Sequence, residues 1–338
     1  MFNSSIGEFL KNNSCYNGDM DIVRKVLHCG VDVNAKDNIG ETALIHATKN
    51  GQVDIVEKLL NMGADVNVSV ATFPGMEWDA LAYALYNNNL RIASLLIEKG
   101  AHVNITYRDG KTPLVLAVRA GSQYLINMML DHGADVNYSN ENCDSPLIEA
   151  CFMNNTKIVK LLLDKGADIN ARELEEDLTP LHIAASARKN LELVKVFIDK
   201  GISVNEVTNE GLTVLMMASV YGNIDIIKLL INKGADINAK DIDNNTTALM
   251  KACMHNRKDT VLLLLENGAD WTLKDRSGDT VLMSAIEFEK DEIAELIKNH
   301  VNKIVDLIVN NGRTPCGKPL QENAQTDTTS HIMKFLVA

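Results

Sequence analysis

Aromatic residues are scarce in this chain, at 5% of 338, and only six prolines interrupt it. With 46% hydrophobic and 23% charged residues, that composition fits an ordered, mostly helical soluble protein and leaves little room for long disordered segments. No Lys/Arg cluster of the kind that tracks a phosphate backbone is present, and the net charge of -12 repels one at long range. Nucleic acid is therefore excluded as a partner, and basic protein segments are the better electrostatic match. The six cysteines, Cys15, Cys29, Cys143, Cys151, Cys253 and Cys316, have neither CxxC spacing nor the density of a secreted disulfide scaffold, which points to a reducing compartment. No window approaches the roughly 18 apolar residues that a membrane span needs. The first residues, MFNSSIGEFLKNNS, lack the basic flank and apolar run of a secretory leader. A cytoplasmic, membrane-free protein is expected, and export by a route that reads no such signal is compatible with the same residues.

What the chain does contain is a period. The stretch NKGADINAKD at Asn232 to Asp241 has near-copies starting at Gly30, Gly63, Gly100, Gly133, Gly166, Gly201 and Gly268. Counted on the Asn of each copy, then on Thr272, the steps are 33, 37, 33, 33, 35, 33 and 34 residues. A second motif keeps the same beat: TALIHA at Thr42, DALAYA at Asp79, TPLVLA at Thr112, SPLIEA at Ser145, TPLHIA at Thr179, TVLMMA at Thr213, TALMKA at Thr247 and TVLMSA at Thr280.

Residue type assigns each position a role. Thr, Ser or Asp before an apolar run caps a helix N-terminus, and Pro113, Pro146 and Pro180 suit the first turn, where a missing N–H costs nothing. About nine residues on, Gly51, Asn88, Gly121, Asn154, Gly222 or Asn256 marks a turn, and runs such as IDIIKLLI then show helical spacing. The Gly of the quoted stretch follows, where a second helix ends in the left-handed conformation. About eleven polar residues then return the chain, and an extended β-hairpin is the expected form. Helices this short are not stable alone, so each pair must bury its apolar face against its neighbours.

Helix-turn-helix units of 33 residues with TPLHIA at Thr179 and GADIN at Gly234 resemble ankyrin repeats over nearly the whole chain. The resemblance implies an all-α solenoid of stacked repeats with β-hairpin fingers. One repeat domain is expected over 1–338: an N-terminal capping repeat at 1–34, eight repeats over 35–304, and a degenerate C-terminal capping repeat at 305–338 with HIMKFL as its second helix. Helix boundaries between 290 and 312 are not fixed by the pattern. It also implies a hydrogen-bonding structural role for His182 and makes the repeated Asn, as at Asn67 or Asn238, a hydroxylation target where the source permits.

Recurrent carboxylates, Asp65, Asp135, Asp168, Asp236 and Asp270, sit where a side chain can accept backbone N–H bonds, so they read as architecture rather than as paired acid and base. Among His and Cys, the CMH of Cys253 to His255, Cys151, His46 and His182 offer no four close ligands of zinc-site spacing. No GxGxxG, P-loop, GxSxG or HExxH is present. Neither metal nor cofactor is expected, and no catalytic residue is named.

Departures between repeats carry the functional information. Four extra residues in VSVATFPGMEWDAL lengthen one finger and are expected to put Met76 and Trp78 near its tip, with packing of Trp78 on Tyr86 or Phe73 as the structural alternative. Trp271, in place of the usual Val or Ile, reads as a packing residue. In ankyrin-like folds the concave surface is built by finger tips and by two residues near the end of each first helix. Those helix positions include Tyr86, Arg119, Phe152, Met153, Ala187, Arg188, Val220, Tyr221, Met254 and Phe288. Of these, Tyr86, Phe152, Met153, Tyr221, Met254 and Phe288 are expected to form a broken apolar stripe interrupted by polar residues such as Lys49, Asn87 and Glu287. The tips beside it carry Glu141, Asp144, Glu175, Glu176, Glu210 and Asp243.

The expectation is a monomeric, non-enzymatic protein-interaction module that holds a basic and hydrophobic segment of another protein against that stripe. Two alternatives stand beside it: a regulatory inhibitor masking an enzyme or toxin, and a metal-assisted hydrolase or transferase built on Cys253, His255, His300 and Cys316.

Overall fold

In a computed structural model, the described residues are 32–73, 76–186 and 190–311; of 71–73, 76–77 and 307–311 only the backbone is described. The expected N-terminal capping repeat through residue 31, Ala187, Arg188, Cys316 and the final capping segment from 312 onward lie outside them.

Contacts divide the chain into two units, Met1–Glu176 and Asp177–Ala338. In the first unit four helix pairs are described: α1 Ala43–Lys49 with α2 Val53–Asn61, α3 Ala80–Tyr86 with α4 Leu90–Glu98, α5 Pro113–Arg119 with α6 Gln123–Asp131, and α7 Pro146–Phe152 with α8 Thr156–Asp164. The second unit contains α9 Pro180–Ser186 with α10 Leu191–Asp199, α11 Val214–Tyr221 with α12 Ile224–Asn232, α13 Ala248–Met254 with α14 Lys258–Glu266, and α15 Val281–Glu287 with α16 Asp291–Asn311. Within each unit the first helices pack in one row, α1 on α3 on α5 on α7 and α9 on α11 on α13 on α15, and second helices form another. Each unit is thus a stretch of all-α solenoid made of helix-turn-helix repeats.

The capping residues act as their chemistry dictates. Thr42, Asp79, Thr112, Ser145, Thr213, Thr247 and Thr280 each accept the amide three residues on through the side chain. The Leu two residues after the cap, as in Leu44, Leu81, Leu114 and Leu147, is 1% exposed or less and fills the core between the two rows. Second helices contribute Ile92 and Leu96 or Ile226 and Leu230, one turn apart on the buried face. Between the helices, Asn88, Asn154 and Asn256 take φ of 52° to 55°, the left-handed turn that Gly51, Gly121 and Gly222 supply elsewhere.

The motif that ends each pair joins neighbouring units as well as folding its own turn. Gly234 sits at φ 87° after α12, and Asp236 accepts the amide of Asn238 at 3.0 Å. Asn205, one repeat earlier, accepts the Asp236 amide at 2.8 Å and donates Nδ2 to the Gly234 carbonyl at 3.1 Å. In the first unit Asn104 does the same to Asp135 and Gly133, and Asn137 to Asp168 and Gly166. Each amide side chain satisfies two backbone groups that a helix end would otherwise leave open.

Two expectations require correction. Extended hairpins do not form in most fingers: among the described residues paired strands occur only at β1 Ser69–Phe73 and β2 Met76–Asp79. Other fingers close as tight turns with single bridges, Lys36 to Thr42, Asn140 to Cys143, Val207 to Thr213 and Lys274 to Thr280. In the first, Asp37 Oδ1 accepts the amides of Ile39 and Glu41 at 3.0 and 2.8 Å, and Asp275 Oδ1 accepts those of Ser277 and Asp279 at 2.9 Å each. A turn wound round its own carboxylate has no residues left for a ladder. Val70 stands where those aspartates stand and cannot wind the turn, and the four extra residues of that finger extend as strands. The ladder then pairs Trp78 with Val70, beside the helix cap Asp79, and Trp78 is at the base of the hairpin rather than its tip. Further on, α16 runs without a break through residue 304, where the eighth repeat was expected to end. Among the described residues no helix is long and apolar enough to cross a membrane.

Candidate functional site

The last residue of each first helix and the cap that follows it cannot be covered by the next turn, so these positions face outward along the first-helix row. In the first unit they expose Tyr86 (71%), Phe152 (54%) and Met153 (41%). The second unit exposes Tyr221, Met254 and Phe288 at 48%, 49% and 55%, with Val220 half-buried. Ile286, the penultimate residue of α15, adds to the second set. Large exposed apolar groups aligned on one face of a stack are unfavourable in water unless something covers them.

Tyr86 is held from below. Trp78, expected near the finger tip with packing on Tyr86 or Phe73 as the alternative, packs on Tyr86: it is 7% exposed, with its ring 5.1 Å from Tyr86 and 5.2 Å from Tyr83. Lys49 lies 4.8 Å over the Tyr83 ring and closes the cluster. Beside it a recess of about 500 Å³ is floored by Trp78, Leu85 and Leu116 and rimmed by Tyr86, Lys111 and Arg119. Trp78 thus supports the surface and lines this recess; it does not project from it. Met76 pairs with Phe73 through the backbone, and its side chain lies outside the described residues. Trp271 is buried, as a packing residue should be.

Charge on this face is organised across the repeat boundary. Arg119 Nε and Nη2 donate to Glu149 Oε1 and Oε2 at 2.7 and 3.0 Å, a fork that raises the guanidinium pKa further. Arg119 comes seven residues after its helix cap and Glu149 four after the next; Lys49 and Tyr83 meet by the same offsets. The pattern is legible once the period is known, and it takes Arg119 out of the set of unpaired cations. Among the acidic tips, Asp144 is partly structural: burial pushes its carboxyl pKa up, and Oδ1 accepts the Leu174 amide of the next finger at 3.0 Å. Glu173, which the sequence did not single out, is buried and winds the following turn by accepting the amides of Glu175 and Glu176 at 2.8 Å. Glu141, Glu175 and Glu176 in the first unit, and Glu210 and Asp243 in the second, are exposed. These are the acids available to an incoming cation.

The residues of the enzymatic alternative do not come together among those described. Cys253 is buried, its thiol pushed up to about 11 by burial, while His255 is an exposed helix cap bonded to its own helix. Cys151 is likewise buried with a raised pKa, which suits core packing and not nucleophilic attack. His182 donates or accepts within its own repeat and the next, Nδ1 to Thr179 Oγ1 at 2.7 Å and Nε2 to the Leu212 carbonyl at 2.9 Å, a structural bridge. One set of donors does converge: Asp37, Glu41 and His46, all buried, with one ligand atom of each within 4.8 Å of the others. A search for Cys and His pairs overlooks it because two of its members are finger carboxylates.

Paired short helices in two rows, left-handed Gly or Asn at the turns and Asn side chains bonded between neighbours define a helical repeat protein. A family model described as ankyrin repeats, three copies, matches residues 12–107, 81–173, 172–241 and 240–307, and the chain belongs to the ankyrin-repeat family. No curated protein matched the chain in a direct search.

Proposed function

We propose that the chain is a non-enzymatic protein-binding module whose ligand is a basic and hydrophobic segment of another protein, laid across the outward ends of its first helices. The observation that carries this reading is the exposed set Tyr86, Phe152 and Met153 in the first unit and Tyr221, Met254 and Phe288 in the second, with exposed carboxylates on the neighbouring fingers. Aromatic anchors contribute most of the binding energy at such surfaces, and the acidic tips steer encounter with a cationic segment. Ankyrin repeats are generally protein-interaction modules, which supports this reading. Cytoplasmic location and a monomeric state belong to the same proposal.

Affinity purification with quantitative mass spectrometry tests it, using wild type, Phe152→Ala, Tyr221→Ala and the control Tyr124→Ala, whose ring is 59% exposed on a second helix. A protein recovered with wild type and the control, and depleted at least tenfold with either first-helix variant at unchanged helical circular dichroism, supports the reading. Equal recovery with all four proteins, or no specific partner, overturns it.

A further inference from the structure

The Asp37, Glu41 and His46 trio has more order than a turn and a cap require. Asp37 Oδ1 is taken by two backbone amides, and Glu41 Oε1 by the Lys49 ammonium at 2.5 Å. That fixes both carboxylates and turns their second oxygens inward. His46 Nε2 lies 2.9 Å from Asp37 Oδ2 and 3.3 Å from Glu41 Oε2. Glu41 is 1% exposed, and its Oε2 accepts no hydrogen bond among the described residues. A buried carboxylate oxygen left in that state is costly unless a cation completes it.

The equivalent place in a later repeat shows what architecture alone demands. There Asp241 meets Lys251 at 2.8 Å, and Thr246 stands where Glu41 stands, its hydroxyl donating to Asp241. One carboxylate faces one ammonium, and no oxygen is left over. In the first described repeat the cation is replaced by an imidazole, a ligand-competent base, and the hydroxyl donor by a second carboxylate. Both changes convert a closed ion pair into a set of donors.

We propose that Asp37 Oδ2, Glu41 Oε2 and His46 Nε2 form a three-ligand site for a divalent transition-metal ion of the zinc class. Bonds of about 2.0–2.2 Å in a tetrahedron separate ligand atoms by roughly 3.3–3.6 Å. The His46 to Glu41 separation of 3.3 Å already fits, the His46 to Asp37 separation of 2.9 Å must open slightly, and the two carboxylate oxygens lie within 4.8 Å of each other. Mixed imidazole and carboxylate donors without thiolate suit zinc and its neighbours better than a hard cation such as calcium. The amides on Asp37 and the ammonium on Glu41 are outer partners of the kind that orient metal ligands. Nε2 must give up its hydrogen bond to the Asp37 carboxylate to coordinate a metal, its proton passing to Nδ1 or to solvent. The ion would cross-link the first described finger to α1 beneath the Lys49 and Tyr83 contact, and so stiffen the edge of the surface on which Tyr86 stands.

The test is equilibrium dialysis and calorimetry of Zn²⁺ with the chelator-stripped full chain, with Co²⁺ absorption as an independent report on donor type. Wild type should bind one equivalent with a cobalt spectrum free of thiolate charge transfer. His46→Gln should abolish that equivalent, and Glu41→Gln should weaken it at least tenfold at unchanged circular dichroism. If His46→Gln does not fold, Glu41→Gln decides alone. No binding to wild type, a thiolate spectrum, or equal binding by the variants overturns the proposal and leaves the trio as a structural contact of His46 with two carboxylates.

Discussion

The same side chain can be architecture in one repeat and a candidate ligand in another, and its partners decide which. Asp241 is the architectural case. Burial raises its pKa, but the Lys251 ammonium, the Thr246 hydroxyl and the Thr246 amide together outweigh that and leave it below the ordinary carboxylate value of 3.8. Because the native pKa is depressed, its stabilisation is complete above the unfolded value and is lost as pH falls through the lower native one. Asp241→Asn should therefore cost about 1.5–3 kcal/mol at neutral pH, the usual range for hydrogen bonds to a charged group. Urea melts at pH 7 and pH 3 check this: the gap between variant and wild type should narrow at the lower pH. Sequence made the caps and turn glycines legible because each follows from a residue type and its immediate neighbours. It could not distinguish Asp37 from Asp241, since the difference lies in what stands at residues 41 and 46.

At the scale of elements, the helices were readable from periodicity and the fingers were not. A helix announces itself every three or four residues, whereas a finger depends on which side chain winds the turn and on how many residues it has to spare. Val70 with four extra residues gives strands, and counting residues from the motif then misplaces Trp78 by the length of a strand. The fingers also pack on each other, and this makes their glycines unequal. Gly110, at φ 83°, would set a Cβ 2.7 Å from Asn142 Cβ and 3.2 Å from the Asn142 carbonyl carbon, while Gly133, at φ 85°, would meet nothing within 4 Å. Gly133→Ala should thus cost only the left-handed backbone penalty of about 1–2 kcal/mol. Gly110→Ala adds an overpacking cost of about 1–3 kcal/mol, because the neighbouring finger backbone must shift. Thermal melts of the two variants should rank them in that order, and equal shifts would show that adjacent fingers do not pack as described.

For the molecule as a whole, the period specifies how repeats join and is silent on what they hold. The exposed apolar positions were legible because Tyr86 and Phe152 in the first unit, and Tyr221 and Phe288 in the second, break a polar expectation seven or eight residues after their helix caps. Arg119 looked equally available in the sequence, and its pairing with Glu149 becomes visible only when one repeat is laid on the next. The recess over Trp78 was not legible at all, because it depends on the strand register of the second finger. The central claim, that partners bind along the first-helix ends, is tested most directly by site-specific photocrosslinking in cells. A photoreactive residue at position 221 should give a discrete crosslinked protein adduct, and the same residue at position 124 should give none. A crosslink at 124 with none at 221 would contradict the claim and move the binding surface to the second helices.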